Sequence, residues 1–245
     1  NIISKLYWDN MPKVDLIIHL ASKSNIKDSW SNTAEYIDNN VIGTIKVLDY
    51  CKKHKVKLIF FSSYLYFGDK YIKSKETDPI TCNNPYALSK KNSEEWCNFY
   101  AKNYKINIVI LRLFNIYGKF QNTKSFIASI IFQFKKNKKI FINKTIYRDY
   151  LHVDDLNNLI LKIIKKYKQI KGLEIYNVGY GKASNLFKIT NLLKKNINSS
   201  SEIRNCTKVE KNQIIYTKAN ITKVCNKFKW KPNIYIKMGL NKICL

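Results

Sequence analysis

Along the chain, short apolar runs alternate with longer stretches whose apolar positions recur at three- and four-residue steps. The runs read as strands and the stretches as amphipathic helices, so the pattern is one of alternating strand and helix. Residues 14 to 20 (Val-Asp-Leu-Ile-Ile-His-Leu), 57 to 62 (Lys-Leu-Ile-Phe-Phe-Ser) and 107 to 113 are the first three strands. A helix spanning 31 to 54 joins the first two, with its inner face expected at Ile37, Val41, Ile45 and Leu48. A crossover of this kind makes neighbouring strands parallel. A second helix opens at Pro85, a residue suited to the first helical turn, and runs to Tyr104 with Ala87, Trp96 and Tyr100 as packing positions. Beyond residue 118 the pattern predicts a helix over 123–136, a strand over 139–143, a helix over 154–167 and a strand over 174–178. Two or three further helices follow from 185. The fold class is α/β.

The 245 residues are enough for one sizeable core or two closely joined lobes. No apolar run reaches the roughly 18 residues that a membrane-crossing helix needs, so no membrane is expected as a partner. The 44 basic residues against 17 acidic ones raise nucleic acid as a partner, but only Arg112, Arg148 and Arg204 are arginines. The lysines are dispersed, and the densest run, Lys135-Lys136-Asn137-Lys138-Lys139, is short, so no nucleic acid is expected. The six cysteines form no Cys-x-x-Cys pair, and no two of the three histidines are spaced i, i+4. No metal is expected, and reduced thiols suit a cytoplasmic location.

Chemistry enters with Tyr86 and Lys90, whose i, i+4 spacing projects both from one helix face. An ammonium ~4 Å from a phenol at an effective dielectric of ~20 contributes about 4 kcal/mol, roughly three pKa units, enough for a phenolate near neutrality. Three other Tyr-x-x-x-Lys spacings occur, Tyr66/Lys70, Tyr71/Lys75 and Tyr167/Lys171, and these read as solvated surface pairs. Only Tyr86/Lys90 opens a helix, follows Asn84-Pro85, and comes after a strand ending in Ser62-Ser63, whose hydroxyl could meet the same substrate atom.

A dinucleotide-binding sheet opens with strand, glycine-rich turn and helix, yet no Gly-x-Gly-x-x-Gly occurs among the seven glycines, and the chain begins at Asn1. The ordered blocks supply a context. They are Ile17-Ile18-His19-Leu20-Ala21-Ser22, Asn39-Asn40-Val41-Ile42-Gly43-Thr44, and Phe61-Ser62-Ser63 with Gly68 beyond. Asn84-Pro85-Tyr86-Ala87-Leu88-Ser89-Lys90 and Arg112-Leu113-Phe114-Asn115-Ile116-Tyr117-Gly118 follow. Last come Arg148-Asp149-Tyr150-Leu151-His152-Val153-Asp154-Asp155, Tyr176-Asn177-Val178-Gly179 and Trp230-Lys231-Pro232. In this order, across nearly the whole chain, they resemble the extended short-chain dehydrogenase/reductase family. The resemblance is to its nucleotide-sugar epimerase/dehydratase branch, on the side of the UDP-glucose 4-epimerases.

The resemblance implies a Rossmann-type parallel sheet without its first strand, turn and helix, and a smaller C-terminal substrate lobe. The NAD-binding part would comprise 1–118 with return segments over 149–178, and the substrate lobe 119–148 and 179–245. It implies an N-terminally truncated member whose 245 residues alone bind NAD poorly and do not turn over. Tyr86 would be the catalytic base, Lys90 its electrostatic partner and a ligand of the nicotinamide ribose, and Ser63 a hydrogen-bond donor to the reacting sugar oxygen. Leu20, Ala21, Ser22, Asn40 and Phe114 would line the cofactor. Asn115 and Arg148 would contact the nucleotide diphosphate, a role that suits the forked guanidinium. The alternative for Arg148 is an ion pair with Asp149 or Asp154, and His19 and His152 are read as structural. A homodimer through the helices over 31–54 and 86–104 is also implied.

Within this branch the reaction depends on further residues. The 4,6-dehydratases place a glutamate two positions after the Ser/Thr, often preceded by aspartate, where this chain has Tyr64 and Leu65. Leucine moves no proton, so elimination is disfavoured. No Cys/His pair, as 3,5-epimerising reductases use, stands near Asn115. The expectation is NAD-dependent 4-epimerisation of a nucleotide sugar, a UDP-sugar foremost. The alternatives are an NAD(P)H-dependent 4-keto reductase or an inactive binding protein of the same fold. One departure from the pattern is Glu210, flanked by Lys208 and Lys211, where many members carry a phosphate-binding arginine.

Overall fold

The structure, a computed structural model, describes residues 2–4, 8–64, 72–207 and 214–244. The expectations placed on Leu65, Tyr66, Gly68, Lys70, Tyr71, Lys208, Glu210 and Lys211 lie outside the described residues. The chain forms two compact units: Asn1–Gly68, Glu76–Leu113 and Ile163–Asn177 make unit 1, and Asp69–Lys75, Phe114–Lys162 and Val178–Leu245 make unit 2. Of the expected return segment 149–178, residues 163–177 cluster with unit 1, and 149–162 with unit 2.

Unit 1 is built on a sheet of order β1 (Leu16–His19), β2 (Lys57–Ser63), β3 (Ile108–Leu113) and β7 (Leu173–Val178). β1 and β3 both pair with β2 in parallel, in registers running from Leu16↔Lys57 to His19↔Phe60 and from Leu58↔Ile108 to Ser63↔Leu113. Leu58, Ile59, Phe60 and Ile108 to Leu111 are all buried, as a parallel strand covered on both faces requires. Leu58, Phe60, Ile108 and Ile110 share one core with Leu48, Cys51, Cys97 and Tyr100.

The single helix expected over 31–54 is instead α1 (Ile26–Ser31), α2 (Thr33–Tyr36), a π-helical stretch Ile37–Ile42, and α3 (Gly43–His54). The wider π turn adds a residue to one revolution and rotates the face that follows. Ile37 is therefore exposed and Ile45 half-buried. Tyr36, Asn40, Val41, Thr44, Val47 and Leu48 form the true inner face. The second helix, α4 (Pro85–Tyr104), starts where expected: the Asn84 side chain accepts from Ala87 N at 2.8 Å and Pro85 occupies the first turn.

Unit 2 contains β4 (Asn115–Tyr117), β6 (Tyr147–His152) and β8 (Ala183–Asn185) in the order β4-β6-β8, with β6 parallel to β4 and antiparallel to β8. A separate pair joins β5 (Ile140–Ile142) to β9 (Ile203–Asn205). Its core draws on α5 (Phe126–Lys135), α7 (Leu186–Ile197) and α9 (Ile236–Cys244), through Ile130, Phe134, Ile189, Leu193 and Leu240. α6 (Val153–Lys165) follows β6, and α8 (Thr222–Phe228) precedes α9.

Candidate active site

β2 ends on Ser63 and α4 opens on Tyr86, and the fold of unit 1 brings their hydroxyls into a hydrogen bond. Lys90, one turn further along α4, is 2% exposed and holds its ammonium 4.3 Å from the centre of the Phe60 ring. The edge of Tyr36 packs on Tyr86, with ring centroids 6.3 Å apart. Ser63 and Tyr86 are thus a buried, hydrogen-bonded pair, and Lys90 is buried one turn further along the same helix.

The electrostatics differ from the sequence-based expectation. Tyr86 is pushed up to about 12, chiefly by burial, with the nearby Tyr64 adding to the rise and the Ser63 hydrogen bond opposing it. Lys90 is itself drawn down to about 8 by burial. Desolvation of the phenolate outweighs the lysine, so Tyr86 is a protonated phenol at neutral pH.

At the C-terminal end of β1, Leu20, Ala21 and Ser22 are exposed. Asn40, in the π-helical stretch, is 1% exposed and fully occupied by protein partners. Its Oδ1 accepts from Lys23 N at 2.8 Å and Ser22 Oγ at 3.0 Å, while its Nδ2 donates to Lys23 O at 3.0 Å and Ser89 Oγ at 2.9 Å. An amide has two donors and two acceptor lone pairs, so this residue ties the loop after β1 to the helix that carries Tyr86 and Lys90.

The Asn40 carbonyl accepts from the hydroxyls of Thr44 at 2.5 Å and Ser93 at 2.8 Å. Because Thr44 spends its proton there, the 3.1 Å bond to His19 Nε2 is donated by the imidazole. Burial first, then the Lys90 charge, hold His19 down at about 3, so the ring is neutral and structural. His152 accepts from Asp154 N through Nδ1 at 3.2 Å and is likewise lowered by burial.

Phe114, Asn115 and Arg148 belong to unit 2. Phe114 is buried, with its N–H donating to Val178 O at 2.8 Å, and Asn115 Nδ2 donates to Asp149 O at 3.0 Å. Arg148 pairs with neither Asp149 nor Asp154. Its Nη1 donates to Tyr147 O and Ile215 O at 2.9 and 3.2 Å, and its Nη2 to Ile214 O. Two of the fork's five N–H groups remain outside these bonds.

Residues that sequence reasoning left without a role turn out to be the organisers of the same blocks. The Asp149 carboxylate accepts from the N–H groups of Tyr180, Gly181 and Ala219 at 2.7 to 2.9 Å. A Cβ on Gly179 would stand 3.0 Å from Asp149 Oδ2 and 2.8 Å from Ala219 Cβ, which explains the glycine that ends Tyr-Asn-Val-Gly. Asp155 accepts from Asn233 N and Ile234 N at 3.0 and 2.8 Å, and its backbone carbonyl receives Trp230 Nε1 at 3.0 Å. The available signal was the presence of aspartates beside the apolar positions Leu151, Val153 and Leu156.

With the geometry in hand, known proteins give the context. Residues 7–179 match the family model described as the NAD dependent epimerase/dehydratase family. The chain is 32% identical over 205 residues to a UDP-glucose 4-epimerase of Mycoplasma genitalium, covering 74% of this chain and 60% of the relative. It is 31% identical over 220 residues to a dTDP-D-glucose 4,6-dehydratase of Dictyostelium discoideum, covering 82% of this chain and 49% of the relative. Among solved structures, the UDP-glucuronic acid 4-epimerase of Bacillus cereus in complex with UDP-glucuronic acid and NAD superposes with a TM-score of 0.88 at 28% identity, covering 99% of this chain and 76% of that one.

Proposed function

The chain belongs to the NAD dependent epimerase/dehydratase family, and on that footing we propose that it is a nucleotide-sugar 4-epimerase working through a transient 4-keto sugar. The observation that carries this reading is the buried Ser63–Tyr86 hydrogen bond at the end of β2, with Lys90 buried one turn further along α4. NAD, when bound, supplies the hydride acceptor and a cationic ring whose charge favours the Tyr86 phenolate. The residues present fit it: exposed Leu20, Ala21 and Ser22 offer a strand end, and Lys90 offers an ammonium for ribose hydroxyls.

In the proposed reaction, Ser63 hydrogen-bonds the sugar O4 and Tyr86 takes its proton as the C4 hydride departs, leaving a ketone. Lys90 keeps positive charge beside the phenolate. The keto sugar turns over, the hydride returns to its other face, and Tyr86 gives the proton back. Asn40 contributes by holding Ser22 and Lys23 in place, and Phe114 packs as part of the cofactor wall. Asn115 and the remaining N–H groups of Arg148 bind the substrate diphosphate.

Tyr64 and Leu65 follow Ser63, so the chain offers no carboxylate where the dehydratase pattern places its Asp-Glu, and this favours epimerisation over elimination. A homodimer fits the exposed Ile37, Ile42, Leu88, Trp96 and Phe99 on the helices expected to meet in it. The six free thiols fit a cytoplasmic setting, and no helix among the described residues is long and apolar enough to cross a membrane.

The test is to express the protein from its complete reading frame and incubate it with catalytic NAD and, separately, UDP-glucose, UDP-glucuronate and dTDP-glucose. Formation of the C4 epimer of one of them is expected. A 4-keto-6-deoxy product would overturn the reading in favour of a dehydratase, and no product with any of them would remove the epimerase assignment.

A further inference from the structure

One turn beyond Lys90 on α4, Glu94 is buried and clasped by Arg112 of β3. Arg112 Nε donates to both carboxylate oxygens at 3.1 and 3.2 Å, and Nη2 adds a bond of 2.8 Å. Nη1 donates to Glu76 O at 2.8 Å. The two side chains are only 5% and 7% exposed. Burying an ion pair is an expensive way to join a helix to a strand, since an apolar pair of equal volume holds as well or better. The pair calls for a reason beyond cohesion.

Lys90 supplies one. It is as buried as the pair, and no carboxylate among the described residues lies within ion-pair distance of it. On its own helix it interacts with Cys97 and Glu94; from β1 comes His19, from β2 the Phe60 ring, and from α3 Cys51, which faces Cys97. His19 is neutral, and burial raises both thiols, Cys51 to about 12. Two groups on the same helix act to raise Lys90, Cys97 first and then Glu94; the Cys97 thiol is held neutral by burial, so Glu94 is the carboxylate that supports the ammonium, and it lies at the i, i+4 position where helix side chains are neighbours.

We infer that Glu94 and Arg112 are positioning residues for the catalytic lysine: the carboxylate end of their pair keeps Lys90 an ammonium, and the clasp of Arg112 keeps Glu94 from capturing that ammonium itself. Lys90 thereby stays charged and available to Tyr86 and to ribose hydroxyls. The inference rests on the reading of Lys90 as the partner of Tyr86, and neither Glu94 nor Arg112 touches substrate in it.

The test reads the lysine directly. In protein carrying lysine labelled with 13C at Cε, the Lys90 resonance is identified by its loss in Lys90→Met and titrated without cofactor. The wild-type midpoint is expected at about 8. Glu94→Gln, which also leaves the Arg112 charge unpaired, should move it down by about one unit or more. Arg112→Met, which frees the carboxylate, should move it up, and the double variant should lie between the two. If Arg112→Met does not fold, Glu94→Gln alone decides. An unchanged midpoint in folded Glu94→Gln would overturn the inference and leave the pair a purely structural tie. The expected shifts in a protein that turns over no sugar nucleotide would sustain this inference while the epimerase reading fell.

Discussion

In unit 2, Asp149 is fully buried, and its carboxylate collects three backbone N–H groups; in unit 1, Lys90 is as deeply buried, yet its ammonium meets an aromatic ring and no hydrogen-bond acceptor among the described residues. Asp155 repeats the first pattern, with two N–H groups accepted. Tyr86 extends the second, with the Ser63 hydroxyl as its hydrogen-bond partner and burial holding it protonated. Both regions bury polar groups at a cost in desolvation. Unit 2 offsets that cost within the chain, and the result is architecture. Unit 1 leaves it partly unmet beside an exposed strand end, which is where a cofactor and a substrate have something to gain.

The contrast can be tested by substitution. The largest effect is expected from Lys90→Met, which should lower turnover by about 10²-fold or more while leaving the urea midpoint in place, because among the described residues no hydrogen bond depends on its ammonium. Asp149→Ala should do the reverse. It strands three N–H groups, that of Ala219 buried and those of Tyr180 and Gly181 half-buried, a loss of about 2 to 3 kcal/mol read as a lowered urea midpoint. An Asp149→Ala protein of wild-type stability would erase the distinction between the units.

Ser89→Ala tests the link within unit 1. It removes the acceptor of one Asn40 N–H and should cost about 1 kcal/mol of stability, a smaller effect than at Asp149. It should also weaken NAD binding, measured by calorimetry, because the loop over 20–23 is then less firmly tied to α4.

The smallest effect concerns pH, where the two units pull in opposite directions. His19 is lowered from 6.5 to about 3, so between those values the unfolded chain takes up a proton that the folded one refuses, and stability falls on acidification. Asp149 is raised from 3.8 to about 6, so within that window the folded state holds the extra proton, and stability rises on acidification. Between pH 6 and 4 the two partly cancel. The wild-type loss of stability over that range should shrink in His19→Gln and grow in Asp149→Asn, as followed by urea denaturation. Equal slopes in all three proteins would show that neither group is linked to folding.

Much of the frame was legible because it depends on local pattern. The apolar runs over 57–62 and 107–113 became β2 and β3, and Asn84-Pro85 marked the start of α4 to the residue. The inner face of the helix over 31–54 was right at Val41 and Leu48 and misread at Ile37, because a constant repeat of 3.6 residues cannot register a π turn, which brought Asn40 inside and left Ile37 out. Tyr86 and Lys90 were legible as a pair from their spacing, but not the direction in which Tyr86 shifts, since spacing carries no information on burial. The Glu94–Arg112 clasp joins residues 18 apart on a helix and a strand, a pairing no local pattern marks, and the roles of Asp149 and Asp155 were out of reach for a further reason. The partners of Asp149 are backbone groups at 180, 181 and 219, and a backbone N–H has no signature in the sequence.

The most direct test of the chemistry assigned to unit 1 is the rate of C4 epimerisation of a UDP-sugar by Tyr86→Phe, measured beside the wild-type protein at equal NAD saturation. A fall of about 10²- to 10⁴-fold is expected, in a protein whose stability drops by only about 1 kcal/mol for the lost Ser63 hydrogen bond, because only the proton-transferring hydroxyl has been removed. Turnover at the wild-type rate in the same variant would contradict the role given to Tyr86 and, with it, the reading of Ser63, Tyr86 and Lys90 as the catalytic centre.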